Sequence, residues 1–457
     1  MRKLRRCRRG SVAFATVIAM VPLVGVMALG GEAASWYVTK QRAQSAADTA
    51  AISGALRVQC TDVQSSGGQA CTDTQDATWR ARQFAAQNAF CDGSDTNASS
   101  YPGAKCPTGL PSGTSQQVTI AVGASQVQAT VSQTQTTHMA RLLGLSTVTI
   151  AATAIARVIT LSAPCVLSLK DPLIFQGSTA VSSPNCGLAT NNTTSSAIQF
   201  TGSSANAANA KSLSAPGGCS NNGSANQCSK AITYAAATPN PLSPLDSPMS
   251  NLSTATTSFS SGACGTTAQP TAYDASHHCY NLAGNGSGKF NFGSATYNLN
   301  GVYFFSGDVT VNGSAILQLA CAAPACGVTF VLLPGSTLNI NGGAKVQLTA
   351  SDSVTTAQVP PALASVVNLM AKLLIYDPES TGKNQTVGIS GNSSSYFNGI
   401  VYAPKADITY QGSSQNYGCN MVIAMGVAFS GSSNFDNSTC PATSAGAVTR
   451  YVRLVTQ

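Results

Sequence analysis

One segment decides where most of this chain can fold. Arg2, Lys3, Arg5, Arg6, Arg8 and Arg9 place six basic residues in the first nine positions, and the 21 residues from Ser11 to Gly31 then carry no charge. As an α-helix that run is about 32 Å long at about 1.5 Å per residue, enough to cross a hydrocarbon core of about 30 Å. A cleavable signal peptide has a shorter apolar region, about 7–15 residues, closed by a small-x-small site. Here the run is longer, and a site around Ala28 and Gly30 is lost in an Ala/Gly-rich background. The sequence therefore predicts a retained single-pass anchor. The basic cluster places the N-terminus in the cytoplasm, so everything after Gly31 is exported. Trp36 and Tyr37 stand where an aromatic belt meets the outer interface.

Helical character continues beyond the apolar run. Trp36, Tyr37, Lys40, Gln44, Ala47 and Ala51 recur at three- and four-residue spacing with no intervening proline. This predicts one helix over 11–58, half in lipid and half outside, with Pro22 bending the membrane part. Ala43, Ala47, Ala50, Ala51 and Gly54 are small enough to let another helix approach closely.

These residues resemble the N-terminal segment of TadG-like Flp pilus-assembly proteins over about 9–56. The marks are Arg9-Gly10 before the apolar helix, Pro22 near its middle, Trp36-Tyr37 in the stem, and Gln44, Asp48, Ala50 and Ala51 in a Gln-x-x-x-Asp-x-Ala-Ala pattern. One position departs: Ala15 stands where pilin precursors cut after Gly usually carry Glu, which argues against such cleavage after Gly10. The resemblance implies a bacterial inner-membrane protein with its bulk in the periplasm or outside the cell. It also implies partners among pilus or secretion machinery.

The rest of the chain is compatible with export. Charged residues are only 9% of it, against about 25% in an ordinary soluble domain. Six of the 24 basic residues precede Gly10, leaving 18 against 16 acidic ones, so there is no nucleic-acid footprint. Of 15 cysteines, Cys7 precedes the apolar run and 14 follow it, with no C-x-x-C spacing. Oxidised pairs outside the cytoplasm are expected. Sequence neighbours suggest Cys60–Cys71, Cys91–Cys106, Cys165–Cys186, Cys219–Cys228, Cys264–Cys279, Cys321–Cys326 and Cys419–Cys440. Proximity alone does not set connectivity, and helix geometry could exchange partners in the first two pairs.

Residues 59–160 read as a small α+β domain: a helix in "DTQDATWRARQFAAQNAF", strands in "QQVTIAV" and "SQVQATVSQ", a short helix in "THMARLLGL" and a strand in "TVTIAATAIARV". The resemblance extends to Met139-Ala140-Arg141-Leu142-Leu143-Gly144. His138 reads as a structural or exposed side chain.

Beyond residue 160 a pattern apolar-x-apolar-x-Gly recurs, ending at Gly177, Gly202, Gly313, Gly342, Gly391, Gly412 and Gly431. Several of these are preceded by a continuous apolar strand: "GVYFF" from Gly301, "GVTFVLL" from Gly327, "KLLIY" from Lys372, "GIVYA" from Gly399 and "NMVIAM" from Asn420. Two strands and two turns per 19–29 residues predict an all-β right-handed parallel β-helix over 161–441, with glycine corners at positive φ. A sandwich or jelly roll also uses short alternating strands, but the period favours the solenoid. Pro239, Pro241, Pro244 and Pro248 mark an excursion over 236–262, an amphipathic helix is inserted in 352–371, and 442–457 reads as a tail. Some longer TadG-like proteins carry a similar Gly-cornered β-region.

Signals for chemistry are weak. Some members of the resembled family carry an Asp-x-Ser-x-Ser metal motif, but "DASHH" at Asp274 lacks the second Ser. Adjacent imidazoles at His277 and His278 point apart, and Cys279 is expected to be oxidised. Polysaccharide cleavage needs paired carboxylates, whereas Asp308, Asp377 and Asp407, with Lys405, are scattered along the chain in turn-like sequences. The expectation is a non-enzymatic anchored component of a Tad/Flp-type pilus or secretion apparatus, with no cofactor or metal site. The alternative is an adhesin-like envelope protein whose β-helix face holds a glycan or a protein.

Overall fold

The computed structural model describes residues 9–65, 71–202, 208–223, 227–253, 258–264, 269–282, 289–378, 386–390, 394–411, 415–440 and 450–455. The chain divides into two compact units, residues 1–159 with 452–457, and residues 160–451. Most of the basic tail, Cys7, Gly391, Gly412 and most of the expected C-terminal tail lie outside the described residues.

The first unit is organised by α1 (Arg9–Ser65), 57 residues and about 85 Å long. It starts near the expected place and runs seven residues further, past Cys60. Its two halves differ. Val17, Ile18, Met20, Leu23, Val24, Val26 and Met27 are exposed, while Ala43, Ala46, Ala47, Ala50, Ala51 and Ala55 are fully buried. The exposed half is long and apolar enough to cross a membrane.

The buried half packs on α2 (Ala77–Gln87) and on an antiparallel sheet. Asp76 caps α2 by accepting the Trp79 N–H at 2.6 Å. Strands β1 (Ser115–Val122), β2 (Gln126–Thr136) and β3 (Thr147–Thr160) form a meander, with Val118 opposite Val131 and Ala129 opposite Ala154. Val127, Ala129, Val131, Ala152, Ala154 and Ala156 supply the sheet side of the core. Alanine and valine on both layers bring helix and sheet backbones close. The strand Arg450–Val455 lies next to β3 as the fourth of this sheet. It falls within the expected tail. Val452 and Leu454 pack against the same core, which explains why the segment is ordered as a strand.

In the second unit every ladder between named strands is parallel, and strands of one coil pair with those of the next. Each full coil has three strands, one more than expected. One face contains Gly301–Ser306, Val328–Leu332, Leu373–Tyr376 and Pro164–Ser168. The second contains Asp308–Val311, Leu338–Ile340, Leu173–Phe175 and Ile198–Phe200. The third contains Thr296–Leu299, Ile316–Leu319 and Lys345–Thr349.

The faces follow their sequences. Strands of the first are buried on both sides, which is why they are continuous apolar runs. Their inward side joins the central core. Their outward side is covered by Leu242, Leu245, Met249, Leu252 and Phe259 of the proline-rich excursion and by Leu363, Val367 and Met370 of the 3₁₀ segment Pro361–Met370. Strands of the second face alternate, with Val309 and Val311 or Leu338 and Ile340 inside.

The coils do not stack in chain order. Asn420–Phe429, in the last coil, pairs with Pro164–Ser168 and Leu173–Phe175 of the first. The chain builds three coils outward from this seam, then residues 236–278 lead to a coil at the other end, from which it climbs back to the seam. Corner glycines stack between coils. A Cβ at Gly202 would stand 2.1 Å from the Gly177 carbonyl oxygen, and one at Gly177 would stand 2.6 Å from that of Gly431. Gly177 and Gly431 hold positive φ, and Gly202 is held to glycine by the close approach of the next coil, whereas Gly313 and Gly342 show neither demand.

Candidate functional site

The stem of α1 uses its small residues inside its own domain. Ala43, Ala47, Ala50 and Ala51 are fully buried against α2 and the sheet. A Cβ on Gly54 would stand 2.9 Å from Val127 Cγ1 and 3.2 Å from the Ala77 carbonyl oxygen. The helix that approaches closely is therefore α2 of the same chain, and these five positions offer no free face to a neighbouring subunit. Polar groups on the stem lock the fit: Lys40 donates to the Ala151 carbonyl, Arg57 to that of Gln75, and Asn88 Nδ2 to Thr49 Oγ1 at 3.0 Å. Tyr37, Val38 and Leu56 remain exposed on the same helix.

Directly after the apolar half, Glu32 receives three consecutive backbone N–H groups from a distant turn. Oε1 accepts from His138 at 2.7 Å, and Oε2 accepts from Met139 at 3.0 Å and Ala140 at 2.9 Å. The bond from His138 does most to hold this carboxyl below its ordinary range, with Ala140 and Met139 adding to it. Sequence reading passed over Glu32, since nothing near it in the chain hints at a partner 106 residues away. His138 contributes its backbone here.

The fourteen cysteines that follow the apolar run form seven disulfides: Cys60–Cys71, Cys91–Cys106, Cys165–Cys186, Cys219–Cys228, Cys264–Cys279, Cys321–Cys326 and Cys419–Cys440. Two of them meet at the seam between first and last coils. The sulfurs of Cys165, Cys186 and Cys440 lie within 4.8 Å of one another, and Cys419 packs beside them. All are in disulfides, which offer a metal no thiolate.

The fold gathers some of the scattered acids. Asp171 comes close to Asp407, whose carboxyl is pushed up first by burial and then by the charge of Asp171. Asp246 of the excursion accepts from the Tyr402 hydroxyl at 2.5 Å, and burial pushes its carboxyl up. Lys405 acts on Asp246 only through its charge. Asp308 accepts from Thr337 Oγ1 at 2.7 Å across neighbouring coils, and Asp377 is buried with its backbone N–H bound to the Tyr402 carbonyl. His277 turns to Asp274 while His278 stacks on Tyr273 and pairs with Ser260, so the adjacent imidazoles take different partners. A cleft of about 600 Å³ opens beside the inserted 3₁₀ segment, lined by Leu242, Asp352, Leu369, Lys372, Ile400 and Met421 among others.

Comparison with known proteins bears on α1. Residues 10–57 match the Tad family, described as "Putative Flp pilus-assembly TadE/G-like". All of the described helix but its first residue and last eight, 48 residues in all, therefore forms a TadE/G-like segment. It takes in the apolar half, Glu32 and the buried alanines. No curated protein matches the chain. Among solved structures, the competence-associated pilin ComZ from Thermus thermophilus is similar over 75% of this chain and 85% of that one, at 10% identity and a TM-score of 0.23, too low to carry an argument about fold.

Proposed function

We propose that this chain is a non-enzymatic, inner-membrane-anchored component of a Tad/Flp-type pilus assembly or secretion apparatus. The observation that carries the proposal is the TadE/G-like segment at 10–57, continuous from an exposed apolar span into a stem integrated in a folded domain. The basic N-terminal cluster would stay in the cytoplasm and both compact units would be exported, in keeping with seven disulfides. We read the stacked coils as a right-handed parallel β-helix, the hand that parallel crossovers take. In this reading the anchor docks that β-helix beside the pilus machinery. Its turn-bound acids and internally paired histidines favour a scaffold over an enzyme.

A second reading, an adhesin-like envelope protein, draws on the cleft beside Lys372 and Asp352. Gene deletion with complementation by the full chain tests the first reading, together with immunoprecipitation of the solubilised protein. Loss of surface pili on deletion and recovery of pilus machinery are expected. Normal pili in the deletion strain would reject it. Recovery of envelope glycan or a surface protein without machinery would favour the second.

A further inference from the structure

The turn held by Glu32 has an unusual surface. Leu142, Leu143 and Leu145 are 81%, 70% and 56% exposed, with Arg141 exposed before them and Gly144 among them. Three exposed leucines in four residues are not needed for the domain's core, which is closed by alanine and valine. Such a patch indicates a partner surface.

Most backbone N–H groups of the turn are bonded within the domain. Glu32 takes the N–H groups of His138, Met139 and Ala140. The Leu142 N–H bonds to the Met139 carbonyl, that of Gly144 to Arg141, and that of Leu145 to Ala140. Gly144 closes the turn at φ 89°, a value that few other residues adopt without strain. Thr137 donates its hydroxyl to the Leu145 carbonyl and its N–H to that of Ser146. A segment entering lipid must satisfy its polar backbone internally, because an unpaired group there costs several kcal/mol.

Position supplies the occupant. Glu32 is the first residue after the uncharged run Ser11–Gly31, so its bonds fix the turn at the level where that run ends. Trp36 and Tyr37 follow about 6 Å further along the helix, at interfacial depth. Resting on the anchor reading, we propose that Met139–Leu145 dips into the outer leaflet of the bilayer that α1 crosses, its leucines among acyl chains and Arg141 at the lipid phosphates. Glu32 acts as a positioning residue. The turn gives the exported domain a second foothold, so that the domain is fixed in tilt and rotation on the membrane and does not swing on a single helix.

Site-specific incorporation of a benzophenone amino acid into the full chain, in cells, tests this. Probes replace Leu143, Met27 in the apolar half, and Ser125, exposed in the turn between β1 and β2. Phospholipid adducts are expected at Leu143 and Met27 and not at Ser125. In Glu32→Ala, adducts should be lost at Leu143 and retained at Met27, with the Cys91–Cys106 disulfide reporting that the domain still folds. Lipid at Met27 with only protein adducts, or none, at Leu143 would overturn the second foothold and leave the anchor standing. No lipid at Met27 would overturn the anchor itself. Lipid at Leu143 unchanged in folded Glu32→Ala would overturn the role of Glu32.

Discussion

Phe175 of the first coil stacks on Phe429 of the last, with ring centroids 5.6 Å apart and planes 14° from parallel. Phe200 stacks on the other side of Phe175 at 4.8 Å, and Tyr410 on the other side of Phe429 at 5.4 Å. One aromatic column thus runs through the seam, joining residues more than 250 positions apart. The consequence is that the middle of the stack is completed only when residues 420–436 have been made. Phe429→Ala should lower the stability of the second unit by about 3–5 kcal/mol, as for other fully buried aromatics. Denaturant unfolding of the solubilised chain checks this, and a loss below 1 kcal/mol would mean that the seam relaxes around the cavity.

The paired disulfides at the seam predict a specific exchange. Cys186→Ser frees the Cys165 thiol within 4.8 Å of the Cys440 sulfur. The Cys165 thiolate attacks Cys440, a Cys165–Cys440 bond forms, and Cys419 leaves as the thiolate. Peptide mapping without reduction should find the native Cys165–Cys186 and Cys419–Cys440 links in the parent and a fraction of Cys165–Cys440 in the variant. Complete retention of Cys419–Cys440 at alkaline pH would show that the sulfurs do not reach one another.

Part of the acid sensitivity of the first unit should trace to Asp73. Both its oxygens accept from Arg80, at 2.7 Å each, and this pair holds its carboxyl down at about 2. The folded value lies below the unfolded one, about 3.9. The stabilisation is therefore full above pH 4 and is lost as pH falls through 2. The pair is partly exposed, so its worth is about 1 kcal/mol or less. Arg80→Ala should raise Asp73 toward its ordinary range, with the Gln75 N–H and Arg57 still holding it partly down, and flatten the acid limb of the domain's melting temperature between pH 4 and 2. An unchanged limb would assign it to other carboxyls.

Much of the second unit was legible because burial is written into strand patterns. The Gly-terminated alternating strands all fall on one face where described, and the continuous apolar runs all fall on another. The third face escaped notice: "TYNL", "ILQL" and "KVQLT" alternate over only four or five residues and lack a glycine mark. Chain order hid the seam, since no local signal says that Phe175 will meet Phe429. The same limit concealed Glu32 and the strand Arg450–Val455, whose partners are distant in sequence. The small residues of the stem were visible, but a run of alanines does not reveal whether its neighbour is a second chain or, as here, α2.

That distinction yields the final prediction, on the stem's part in assembly. Ala47 is fully buried under its own domain, so Ala47→Leu should overpack the core and destabilise the domain by about 1–3 kcal/mol. Any loss of pili in that variant would follow from loss of fold. Contacts between subunits through α1 must instead use what the domain leaves uncovered, of which Tyr37 and Val38 are 66% and 48% exposed. The double variant Tyr37→Ala, Val38→Ala should change stability by no more than about 0.5 kcal/mol per site, as exposed substitutions do. It should nevertheless reduce pilus number if the stem is a docking element. Thermal melts of the solubilised protein and pilus counts on the same strains separate the two effects. Normal piliation with normal stability in the double variant would leave these two side chains without an assembly role. An unrelated single-span helix in place of residues 1–31 then decides between spacer and docking element: if pili persist, the apolar half serves only as a tether for the two compact units.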